Sequence, residues 1–185
     1  MNKDRKAFNS TLRPVAKRKI GQPKKPVPRK GFKKPLSLSE VKKKFGLLTV
    51  SEMERADLMM LADNVFSKWV RLMAASESDG YLSCFICGIP VHWTEAENMH
   101  IHTRKAMSIR FDEVGCKAGC HGCNAKPNGD RGRFGDKLDA MHGQGTYEAL
   151  TDKSKRTVHL DKEYLKFIID TYQQRVDRLL KEKGL

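Results

Sequence analysis

At 185 residues and a net charge of +14, the chain is long enough for one modest core and short for two full domains, so a single domain with an appendage is expected. The charge is unevenly placed: residues 1–45 hold 16 of the 36 Lys and Arg but only Asp4 and Glu40 as acids, whereas residues 46–185 carry 20 of each sign. No apolar run approaches the roughly 18 residues that span a bilayer, and the N-terminus lacks the apolar stretch of a secretory signal, which excludes a membrane partner and gives a cytosolic location as the expectation.

Residues 1–45 also contain Pro14, Pro23, Pro26, Pro28 and Pro35 and few large apolar groups. Such a segment cannot bury enough surface to offset its ordering entropy, and it reads as a disordered basic arm. Lys17, Arg18, Lys19, Lys24, Lys25, Lys33 and Lys34 are spaced to track a polyanion, with nucleic acid the favoured partner and a merely solubilising arm the alternative.

Residues 46–185 read as one folded domain. Ser51 and Glu54 have capping-box spacing, predicting a helix over 52–75 with Leu58, Leu61, Ala62, Val65, Phe66, Trp69, Leu72 and Met73 on one apolar face. Short strands are expected at 81–83, 91–93 and 99–103. The stretch 115–130, rich in Gly, Cys and Asn, reads as loop or knuckle. Helices follow at 131–141, despite Gly132 and Gly135, and at 147–151. Asp161 caps a last helix whose stripe runs Tyr164, Leu165, Ile168, Ile169, Tyr172, Val176, Leu179 and Leu180 and should pack on the first helix.

Cys84-x2-Cys87 and Cys120-x2-Cys123 are two knuckles 32 residues apart. Two such pairs supply the tetrahedral thiolate set of a structural zinc, which closes the site and leaves no position for substrate. Cys116 breaks the pairing and reads as a small buried residue. His121, inside the second knuckle, is expected to face solvent or phosphate.

Between the knuckles lie Glu97, His100, His102, Arg104, Lys105 and Arg110, and Asn124 follows the last cysteine. A base, cations and amide oxygens are what phosphodiester hydrolysis requires: water must lose a proton and the phosphate must gain counter-charge. Histidine suits the first task because its ordinary pKa lies near neutrality. Arg104, Lys105, Arg110, Lys126, Arg131 and Arg133 are candidate phosphate contacts, the alternative being ordinary solvated charges. On a strand His100 and His102 would share one face and could reach one site.

The order Cys84-x2-Cys87, Glu97-x-x-His100, Cys120-x2-Cys123-Asn124 resembles the zinc-stabilised HNH (His-Me finger) nucleases. Within them it most resembles the NinG or Rap family of lambdoid phage recombination endonucleases. Phe66 to Val70, Cys84 to Gly88, Ile109-Arg110-Phe111-Asp112-Glu113, Cys120 to Asn124, Asn128-Gly129-Asp130 and Tyr172-Gln173-Gln174 carry the likeness over roughly residues 60–182. The resemblance implies an α+β fold, a zinc-stabilised ββα-metal core flanked by long helices. It also implies Mg2+- or Mn2+-dependent cleavage of branched DNA, Holliday junctions or D-loops, in a bacterial host cytoplasm if the chain is phage-encoded.

By position His100 becomes the general base. Asn124 becomes a ligand of the catalytic divalent ion, and Glu97 a second ligand or the group that orients His100. Gly115 stands where the family has an Asn that braces the catalytic loop. Met99 stands where many members have Asp or His, and His102 is the candidate to supply the missing ligand. Symmetric junction cleavage would suit a homodimer through the last helix, although its stripe reads as internal core. The alternative function is a non-catalytic zinc-containing DNA-binding recombination accessory protein.

Overall fold

A computed structural model describes residues 50–126 and 130–185. The basic arm, with Lys17, Arg18, Lys19, Lys24, Lys25, Lys33 and Lys34, lies outside the described residues.

Helix α1 spans Arg55–Ala74 and buries Leu58, Leu61, Ala62, Val65, Phe66, Trp69, Val70 and Leu72 at the spacing of one helical face. It starts later than the capping box predicts, because Val50–Glu52 forms a separate 3-10 turn and Glu54, in extended conformation, takes the N-cap position without a side-chain bond. Met73, expected on the apolar face, is 53% exposed. The last helix, α5, spans Lys162–Lys183. Asp161 caps α5 as expected, its Oδ1 accepting from the Tyr164 backbone N–H at 2.8 Å. At the far end Gly184, at φ 65, closes the helix in the left-handed conformation.

The two long helices run side by side in the same direction. Near their starts Arg55 Nε donates to the Leu160 carbonyl at 2.7 Å. Near their ends Lys183 Nζ donates to the carbonyls of Leu72 and Ala75 at 3.0 and 2.6 Å, placing a cation on the negative end of α1. Leu165, Ile168, Ile169, Tyr172 and Val176 fill the interface, whereas Tyr164 is exposed. Each such side chain, fully buried, contributes about 1.5–3 kcal/mol. The Phe66 ring organises this core, 4.8 Å from Tyr172 and 5.5 Å from Phe111, both edge-on. The α5 stripe is therefore spent within the chain.

Between the helices lie two small antiparallel hairpins. Strand β1 (Tyr81–Ser83) pairs with β2 (Pro90–His92), Leu82 opposite Val91. Strand β3 (Glu97–His100) pairs with β4 (Cys116–Gly119), Glu97 opposite Gly119 and His100 opposite Cys116. Two expectations need correcting here. The strand predicted at 99–103 is displaced toward the N-terminus and ends at His100, where Ile101 N–H donates to the Gly115 carbonyl at 2.9 Å and the chain turns away. The stretch predicted as loop holds β4 and the short helix α2 (His121–Asn124). Its composition hides the strand because Gly119 is there for space: a Cβ would lie 2.2 Å from Met99 Cε.

A second cluster gathers Cys84, Ile86, Met99, Ile101, Ile109, Cys123, Phe134, Leu138 and Leu150. Phe134 and Leu138 come from α3 (Arg131–His142), and Leu150 from α4 (Thr146–Ser154). Gly135, which weakens α3 on propensity, is required by packing: a Cβ there would lie 2.8 Å from Tyr147 Cγ. Among the described residues no helix is long and apolar enough to cross a membrane.

Candidate functional site

The knuckles meet. The four sulfurs of Cys84, Cys87, Cys120 and Cys123 lie within 4.8 Å of one another, and Cys87 Sγ is 3.8 Å from Cys120 Sγ. Zinc–sulfur bonds of about 2.3 Å arranged tetrahedrally put sulfurs about 3.8 Å apart, so this set can hold a zinc ion. Burial pushes the Cys84 thiol up, but backbone N–H groups of Cys87, Cys120 and Ile86 outweigh it and bring the thiol down to about 7. Cys116 stands apart: its Sγ faces the Arg110 carbonyl at 3.7 Å, and burial drives its pKa far up, leaving an inert thiol.

The second knuckle also positions the site. Helix α2 starts directly after Cys120 and carries His121 and Asn124 over β3. There Glu97 binds both, its Oε1 2.6 Å from His121 Nδ1 and its Oε2 accepting from Asn124 Nδ2 at 2.6 Å. His121, expected to face solvent or phosphate, keeps a partly exposed ring and also meets a carboxylate that the sequence did not announce. The Asn124 carboxamide oxygen is left turned away from Glu97. Both Glu97 oxygens are thus taken by α2, and Glu97 lies outside the cleft that Asn124 lines, so Glu97 fits the role of orienting Asn124, whose amide oxygen is the kind of ligand a hard divalent cation takes beside water and phosphate.

Next to this pair opens a cleft of 340 Å³ lined by Asn98, His100, His102, Thr103, Arg104, Asn124 and Arg131. His100 closes β3. Burial lowers its pKa to about 4, Arg104 adds to the shift, Asp63 and a hydrogen bond with the Arg110 carbonyl oppose it, and the imidazole is neutral at neutral pH. Met99, one residue earlier, is buried under the cysteine cluster and cannot act here. Asn98, two residues earlier, does line the cleft, and its Oδ1 is buried without a hydrogen-bond partner. Strand periodicity could have found it, since it precedes His100 by two.

His102 reaches the same cleft by a route other than the shared strand face, because it lies beyond the end of β3. Its Nε2 is 3.1 Å from Thr151 Oγ1. That hydroxyl donates its one proton to the Tyr147 carbonyl at 2.8 Å, so His102 Nε2–H is the donor and only Nδ1 keeps a lone pair. Its ring is stacked on Tyr147, centroids 6.3 Å apart and planes 15° from parallel. Burial and the nearby Arg131 lower its pKa.

The cations divide into two groups. Arg104 and Arg131 line the cleft, and Lys105 is exposed beside them. Arg110 is occupied elsewhere, a correction: its Nε and Nη2 grip Asp63 Oδ1 and Oδ2 at 2.9 and 2.5 Å, and Nη1 donates to the Arg104 carbonyl. This fork leaves Arg110 no free face for phosphate and makes it a clamp between the β3–β4 loop and α1. Lys126 and Arg133 share Asp130, at 3.2 and 3.6 Å, on the exposed start of α3.

Asp112 braces the loop that Gly115 was expected to leave unsupported. Its Oδ1 accepts from the backbone N–H groups of Val114 and Gly115 at 3.0 and 2.9 Å, while Oδ2 accepts from Lys153 Nζ at 2.7 Å. Burial raises the Asp112 pKa, but the Lys153 bond and the two N–H groups outweigh it and hold the carboxyl below its ordinary range. Neither Asp63 nor Asp112 was a candidate from sequence, since each looks like one acid among many until its partner is known.

A family model described as Bacteriophage Lambda NinG protein matches residues 40–182. The chain belongs to the NinG family. The matched span includes all four cysteines of the cluster, Glu97, His100, Asn124 and both long helices, so the family pattern covers the whole site. Comparison with curated proteins and with solved structures finds no match.

Proposed function

We propose that this NinG-family protein is a metal-dependent, structure-selective DNA endonuclease of the zinc-stabilised HNH kind that cuts branched recombination intermediates such as Holliday junctions or D-loops. The observation that carries this reading is the convergence of β3, the loop after it, α2 and α3 on one cleft. A neutral His100, the amide of Asn124 and the guanidinium groups of Arg104 and Arg131 meet there, beside the Glu97 carboxylate.

In this reading His100 accepts the proton of the attacking water, which a neutral imidazole can do and an imidazolium cannot. Arg104 and Arg131 neutralise the phosphate as charge develops on it. Asn124, oriented by Glu97, would hold Mg2+ or Mn2+, which would supply counter-charge to the phosphate and the leaving oxygen. Zinc on Cys84, Cys87, Cys120 and Cys123 would tie the knuckle after β1 to the knuckle that starts α2 and would take no part in the chemistry. Lys105, Lys126 and Arg133 add positive charge for a DNA backbone, and the charge of the basic arm adds to the affinity.

The test is incubation of purified protein with synthetic four-way junctions in Mg2+ and in Mn2+, beside linear duplex of the same sequence. Cutting of the junction in preference to the duplex is expected. A protein that binds junctions and leaves them intact in both metals contradicts the reading and favours a DNA-binding accessory role.

A further inference from the structure

We infer that the cleft accepts one unpaired nucleotide and that His102, backed by Tyr147, is the platform on which its base stacks. The inference rests on the DNA substrate proposed above but not on the cleavage step.

Size comes first. At 340 Å³ the cleft is at the lower end of the roughly 300–1,000 Å³ range of small-ligand sites. It has room for a single nucleotide but not for a duplex, so only a base out of its pair can enter.

The lining fits such a guest. His102 lines the cleft, its Nε2–H held by Thr151 and its ring within 15° of parallel to that of Tyr147, centroids 6.3 Å apart. A ring fixed in this way loses little freedom when a base lies on it. Asn98 and Asn124 line the same cleft and bring polar side chains near such a guest. Arg104 and Arg131 also line the cleft and supply charge for the adjoining phosphates.

This assigns His102 a task other than metal binding. Its Nε2–H is spent on Thr151, and its ring lines the cleft. The task also bears on selectivity: branch points and gaps offer unpaired bases without the cost of breaking a stack, and continuous duplex does not.

The experiment uses the full chain, without added divalent ion, and a duplex carrying one unpaired 2-aminopurine, with fully paired duplex as control. Wild type and His102→Phe should quench the 2-aminopurine, and His102→Ala should not. His102→Ala should also bind the unpaired-base DNA between about five-fold and about a hundred-fold more weakly, with paired-duplex affinity unchanged. Equal quenching by wild type and His102→Ala overturns the inference, as does a His102→Phe that behaves like His102→Ala, since that would make the nitrogen and not the ring the active part. Adding Mg2+, with a four-way junction beside the same DNA, separates the two readings. Quenching without cutting of the junction sinks the nuclease proposal alone, cutting of the junction with identical quenching in His102→Ala sinks the stacking inference alone, and wild type that binds none of these DNAs overturns both.

Discussion

Asn124 donates its side-chain amide to Glu97 at 2.6 Å, tying the helix after the second knuckle to the strand that ends in His100. The same carboxylate lies 2.6 Å from His121 Nδ1, so one acid sets the orientation of both polar residues of α2. Glu97→Gln keeps the shape and removes the charge. Junction cleavage should fall by about 10- to 100-fold, the usual cost of losing such an orienting partner, with a higher Mg2+ requirement and unchanged zinc content. Metal titrations of the cleavage rate check this; an unaltered Mg2+ requirement would show that Glu97 only holds the helix.

Removal of zinc should cost structure before it costs chemistry. The cysteine cluster is packed among Ile86, Met99, Phe134 and Leu138, so losing a ligand opens the second core as well as the metal site. Cys84→Ser should lower bound zinc from one ion per chain and the melting temperature with it, whereas Cys116→Ala should keep the zinc. Metal analysis and thermal denaturation of both variants decide it.

Asp112 offers a test of the loop. Asp112→Ala leaves the Val114 and Gly115 N–H groups without their acceptor and Lys153 without its partner, at an expected cost of about 1–3 kcal/mol. Asp112→Asn keeps the Oδ1 acceptor and loses the ion pair, so it should recover most of that loss. Denaturant unfolding of the pair measures the difference; equal destabilisation would place the whole effect in Lys153.

Much of this architecture was legible in the sequence, and the failures have physical causes. The two long helices were readable because Leu58 to Leu72 and Leu165 to Val176 repeat at helical spacing over many turns, and Asp161 marks a start by its chemistry. The cysteine frame was readable because two x2 spacings allow few other geometries. Strand β4 was not, since Cys116 to Gly119 lacks the branched residues that mark a strand and owes its place to the room Met99 needs. The role of Arg110 was hidden because Asp63 is 47 residues away in the chain and nothing in either residue announces the pair. His102 misled for a similar reason: period-two reasoning holds only while the strand lasts, and β3 stops at His100.

The pH dependence follows from the buried His100. Its pKa drops from an ordinary 6.5 to about 4, so the folded protein favours the neutral ring. A depressed pKa contributes stability that is present above about pH 6.5 and lost as the pH falls through about 4. The single-turnover cleavage rate should therefore be level through neutrality and fall only on approach to pH 4. An acid limb centred near 6.5 would mean that the base is exposed, or is another residue.

The most direct test of the account is four-way junction cleavage by His100→Ala beside wild type, with junction binding and zinc content measured on the same preparations. Loss of cleavage by at least about 100-fold, the lower end of what a general base supplies, with binding and zinc retained, is the predicted result. Cleavage at the wild-type rate by a folded, zinc-loaded His100→Ala would contradict it.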